Sequence, residues 1–168
     1  MGDLLDFFNA YRVPALHLTS FLLLGGTWRW GGAPERWLIG IFIAIMVLPT
    51  YVIWWFELGA AEVGPYAPAV MLLDMLAAAL FIGVALKANR NYPLWIAGFQ
   101  LVAVGAHLVR SIIDTISPLA VAILVIGPAY CQLLLLLGGF IRHALRERRF
   151  GPYREWRQVT PSARGLQL

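Results

Sequence analysis

PAVMLLDMLAAALFIGVAL, residues 68–86, is an unbroken apolar run apart from a single ionisable side chain, Asp74. A helix of that length rises ~28 Å, about the depth of a bilayer's hydrocarbon core. A carboxyl group in that position is costly unless it faces the interior of a helix bundle. Asp74 shares its helical face with Ala77, Ala78 and Ala85, and small residues let neighbouring helices approach closely in lipid. The run therefore predicts a membrane-spanning helix with a polar, close-packed inner face.

The same pattern recurs on both sides of it. Apolar segments over approximately 13–30, 37–56, 68–86, 94–113 and 119–141 predict an all-α bundle of five spans in a single domain, with 142–168 as a basic tail. Composition agrees: 60% of the 168 residues are hydrophobic and 13% are charged, against roughly a quarter charged in an ordinary soluble domain. Mean hydropathy is +0.72. Residues 1–11 are mildly amphipathic and fit either the membrane surface or an extension of the first span. Pro14 is expected in a first helical turn, where its missing N–H costs nothing. Pro49 is expected to kink the second segment. The outer end of that segment is aromatic, with Tyr51, Trp54, Trp55 and Phe56 at headgroup level. The N-terminus lacks the positive n-region and cleavage site of a signal peptide, so the first apolar segment is expected to remain in the mature protein.

Lys and Arg set the orientation. Seven arginines follow residue 141, against Glu147 and Glu155. This tail is therefore expected on the cytoplasmic side. Alternation then puts the Arg29/Arg36 and Lys87/Arg90 turns inside and the Glu57/Glu62 loop outside, with an outer N-terminus. Arg110 is the one misfit, partly offset by Asp114.

Depth along the helices places His17, Thr50, Asp74 and His107 in one stratum of the outer leaflet. Gln100, His107, Ser111 and Asp114 follow one another at intervals of seven, four and three residues, which puts them on one helical face. The layer of Thr50, Asp74, Gln100, His107 and Arg110 admits three readings. In one, Asp74 pairs with His107 or Arg110 and holds the bundle together. In another, His17 and His107 ligate a b-type haem or a chlorophyll through neutral imidazole. In the third, Asp74 titrates in an oligomeric proton-coupled transporter. The absence of an internal repeat weighs against a self-sufficient transporter.

Arg142, Arg146, Arg148, Arg149 and Trp156 form a basic, aromatic surface next to the last span. It suits anionic lipid headgroups or the acidic face of a partner subunit, not nucleic acid. His143 falls within it and is expected in solvent. Gly151-Pro152 is expected to stop any helical continuation of the last span. Cys131 stands alone, which excludes an intrachain disulfide. No glycine-rich phosphate loop, HExxH, CxxC or nucleophile elbow occurs, so none of these supports an enzyme.

Two stretches, residues 30–36 (WGGAPER) and 86–100 (LKANRNYPLWIAGFQ), resemble a set of small, uncharacterised multi-pass membrane proteins of alphaproteobacteria, sphingomonads among them. The resemblance extends over about residues 30–132. It implies a bacterial inner membrane and carries no assigned activity. Small size, short loops and many tryptophans lead to the expectation of an accessory or structural subunit of a larger, bioenergetic membrane complex.

Overall fold

The computed structural model describes residues 2–55, 63–112, 118–152 and 154–157, and all regular structure among them is helical. The order is α1 (Gly2–Trp30), α2 (Ala33–Phe42), a π-helical turn (Ile43–Val47), α3 (Leu48–Trp55), α4 (Val63–Lys87), α5 (Tyr92–Ile112) and α6 (Pro118–Phe150). The segment from α2 through the π turn to α3 is continuous, so the elements form five rods. Among the described residues three stretches, Ala33–Val52, Ala69–Lys87 and Tyr92–Ile112, are long and apolar enough to cross a bilayer, which marks a membrane protein.

Prolines shape the rods. Pro49 has no N–H for the carbonyl four residues back. The chain meets this with the π turn immediately before it, and the Leu48 N–H bonds to the Ile43 carbonyl. The expected kink thus takes the form of a π-bulge within a continuous rod. Pro14 departs from expectation. It sits inside α1 rather than in its first turn, because the helix begins at Gly2. Tyr130 of α6 donates to the Arg12 carbonyl at 3.1 Å and ties this stretch of α1 to the bundle.

Helix ends differ from the predicted bounds for local reasons. α4 starts at Val63, five residues before the expected Pro68, and thereby takes Pro65 and Pro68 into its N-terminal turns. α6 continues nine residues past the span, up to the Gly151-Pro152 stop that the sequence offered. It stops where Gly151 takes φ +77° and donates its N–H to the Glu147 carbonyl at 2.9 Å, a conformation that favours glycine. Glu57, Glu62 and Asp114 lie outside the described residues.

α4, α5 and α6 form the most closely packed group, α5 being flanked by the other two, while α1 packs on α2 and α6. The core runs through Leu38, Ile39, Phe42, Phe81, Ile96 and Leu136, all essentially buried. The expected stripe of Ala77, Ala78 and Ala85 is buried too. Gly26 brings α1 against α6: a methyl group there would lie 3.3 Å from the Phe140 ring.

One end of the bundle is locked by its connections. The Ala33 N–H donates to Glu155 Oε2 at 2.9 Å. The Asn89 N–H donates to the Glu155 carbonyl and the Arg157 N–H to the Lys87 carbonyl. A short antiparallel bridge pairs Ala88 with Trp156. The α1–α2 turn, the α4–α5 turn and the segment after α6 therefore meet.

Candidate functional site

Asp74, four turns from the C-terminal end of α4, points its carboxylate between α4 and α5. Oδ2 lies 2.9 Å from His107 Nε2. Gln100, one face-repeat before His107, donates through Nε2 to Asp74 Oδ1 at 2.9 Å and to the Asp74 carbonyl at 3.2 Å. Its own Oε1 accepts from Gln132 Nε2 of α6 at 2.9 Å. Gln132 also donates to the Ile96 carbonyl. The result is one polar chain, His107–Asp74–Gln100–Gln132, across three helices. Gln100 and Gln132 are each 1% exposed. Buried polar groups require such partners. The chain ends on Gln132 Oε1, which is buried without a hydrogen-bond partner.

The other predicted site residues fall elsewhere. His17 is buried on α1, with Nδ1 3.2 Å from the Tyr51 hydroxyl and the two rings tilted at 5.1 Å between centroids. Its helix packs on α2 and α6, whereas the helix of His107 packs on α4 and α6. The two imidazoles thus engage different partners. Thr50 and Arg110 are exposed and lie outside the polar chain. Ser111 is exposed and bonds back to the Leu108 carbonyl. Among the described residues, no three His, Cys, Asp or Glu side chains group as metal ligands.

A second polar assembly occupies the locked end. Glu35 is fully buried near the start of α2. Its carboxylate pairs with the Arg90 guanidinium and accepts the Tyr92 hydroxyl at 2.8 Å. Tyr92 reaches it across Gly139, where any side chain would meet the ring at 2.8 Å. Gly32 is equally confined: a Cβ there would lie 2.5 Å from Glu155 Oε1.

His143 belongs to this assembly, contrary to the expectation of a solvated residue. It is 4% exposed. Arg90 Nη2 lies 3.0 Å from Nδ1, and Glu147 Oε2 lies 3.4 Å from Nε2. A guanidinium only donates, so Nδ1 accepts and the ring proton sits on Nε2, toward Glu147. Burial, and then the Arg90 charge, hold the imidazole below its ordinary pKa.

Of the predicted surface residues, Arg142, Arg146, Arg148 and Arg149 are exposed on the last turns of α6, while Trp156 is half-buried in its bridge with Ala88. Sequence reasoning missed Gln132, Glu35, Tyr92, His143 and Glu155 as interacting groups. A glutamate directly after Gly-Gly-Ala-Pro reads as a turn residue, and only the fold brings it to Arg90.

No family model, no curated protein and no solved structure matches this chain.

Proposed function

We propose that the chain is a five-span protein of a bacterial inner membrane, with its N-terminus outside and its C-terminus cytoplasmic. It serves as an accessory, structural subunit of a larger bioenergetic membrane complex. One observation carries this reading. The interior polar groups of α4, α5 and α6 bond to one another, as fits a device that fixes helix register. The groove between α5 and α6 is lined by none of Asp74, Gln100, His107 and His17.

The orientation draws support from the locked end. The basic connections and the arginine-rich end of α6 gather there, as the positive-inside rule requires of cytoplasmic segments. A role among partners draws support from the outward faces, where Trp28, Trp37, Trp55 and Trp95 are exposed. Such rings suit the headgroup level or a partner's helices. Gentle detergent extraction of the tagged chain at its native expression level, followed by a native gel, tests the reading. Migration with other membrane subunits is expected. Migration as the 18.7 kDa monomer alone contradicts it.

The direct contact of a carboxylate and an imidazole within the helices favours a second reading, an oligomeric proton-coupled transporter in which Asp74 titrates. Asp74→Asn would then abolish uptake with expression intact. The haem or chlorophyll reading draws less support, because His17 and His107 sit against different partners.

A further inference from the structure

The second rod is anchored along its first part only. α2 packs on α1, α4 and α6, and the π turn packs on α1 and α4. Leu38, Ile39, Phe42 and Val47 are fully buried there. Beyond Val47 the anchorage ends. Leu48, Thr50, Tyr51, Val52 and Trp55 are exposed, and no other rod packs closely along α3 among the described residues. The described side chains of α3 reach another helix through Tyr51, whose hydroxyl lies 3.2 Å from His17 Nδ1 with 5.1 Å between the two rings. The neighbouring hydroxyls of α1 offer no second tie, because Thr19 and Ser20 bond back to the Ala15 and Leu16 carbonyls of their own helix.

The anchorage ends where the backbone ladder is interrupted. Pro49 has no N–H to give, and the Leu48 N–H bonds five residues back, to the Ile43 carbonyl. Rods bend at such π turns and prolines. An arm that turns there keeps its own hydrogen bonds and changes only a few backbone angles. Segments with few buried contacts open before the rest of a fold. The opposite end of the bundle is held by backbone hydrogen bonds between its turns and the segment after α6.

We infer that α3 is a hinged flap, turning on residues 43–49 and latched by Tyr51 on His17. Closed, it keeps His17 8% exposed. Open, it carries Tyr51 away and uncovers the imidazole at the end of the bundle opposite the locked turns. The device stands on α1, the π turn and α3, and needs no partner subunit. A single neutral hydrogen bond is a weak latch, and its loss shifts such an equilibrium about three- to fivefold.

Spin labels on Trp37→Cys and Val52→Cys test the flap in the full-length protein, with Cys131→Ala and in lipid nanodiscs. Both positions are exposed, and the pair spans the hinge over ~22 Å. Leu72→Cys and Leu86→Cys, also exposed, span ~21 Å of the unbroken α4 and serve as the rigid reference. Double electron–electron resonance is expected to give a broad, two-component distribution for the first pair and one narrow distance for the second. Tyr51→Phe keeps the ring and removes the hydroxyl, and should raise the open component about three- to fivefold. Modification of His17 by diethyl pyrocarbonate, read by peptide mass mapping, should quicken by the same factor, with His107 unchanged. A hinge pair as narrow as the reference pair would overturn the inference. So would a distribution and a His17 rate that Tyr51→Phe leaves unchanged, or an equal quickening at His107, which marks general loosening.

Discussion

Asp74 on α4 and His107 on α5 meet with Oδ2 2.9 Å from Nε2, and Gln100 from His107's own helix holds the other carboxylate oxygen. Two residues of α5, two turns apart, thus grip one residue of α4. Interhelical polar contacts in lipid contribute modestly, because the unfolded state in the membrane finds partners as well. A double-mutant cycle of Asp74→Asn and His107→Ala, read by unfolding in mixed micelles, should therefore give a coupling of about 0.6–1.7 kcal/mol. Zero coupling would mean that the contact has no part in holding α4 to α5.

Glu35 and Arg90 should behave differently. Glu35 has no exposed surface and Arg90 little, so removal of one partner strands the other. Arg90→Met is expected to destabilise by about 3–5 kcal/mol, and Glu35→Leu combined with it by markedly less. The check is the unfolding midpoint of the two single variants and the double variant. If the double variant loses the sum of the single losses, the pair is not coupled.

His143 makes the locked end pH-sensitive. Its folded pKa lies below the ordinary 6.5 because of burial first and Arg90 second. The unfolded chain therefore binds more protons in the interval below 6.5, and stability rises with pH there. The contribution is fully present above about pH 6.5 and is lost as pH falls toward the lowered value. Glu147 and Glu155 oppose the shift, which narrows the interval. Amide exchange at Asn89 and Arg157, whose N–H groups tie the segment after α6 to the α4–α5 turn, should be faster at pH 5.5 than at pH 7.5 beyond the intrinsic trend. In His143→Gln the excess should vanish. An unchanged excess would assign it to the carboxylates.

The helices were largely legible in the sequence, because runs such as residues 68–86 leave the chain few alternatives in lipid. For Asp74 the spacing left two partners open, His107 and Arg110, and the packing of α4 on α5 brings His107 to it. Gln132 was not legible. It stands in a leucine-rich run beside Cys131, and only the packing of α6 on α5 directs it to Gln100. Glu35 and His143 were misread for a related reason. Both sit beside arginines at helix ends, where a charged side chain ordinarily reaches water, and only the fold brings Arg90 to each of them. For residues 1–11 the sequence admitted an extension of the first span, and α1 takes it; only Pro14 was misplaced, because it reads as a helix start when the helix passes straight through it.

On the structural role proposed above, the polar chain through α4, α5 and α6 holds helices rather than moving protons. Proton flux into proteoliposomes is the direct measurement, with purified wild-type protein, Asp74→Asn, an enclosed pH-sensitive dye and an imposed membrane potential. Flux no greater than that of empty liposomes is expected for both proteins. Flux through the wild type that Asp74→Asn abolishes, with the variant still folded, would contradict it.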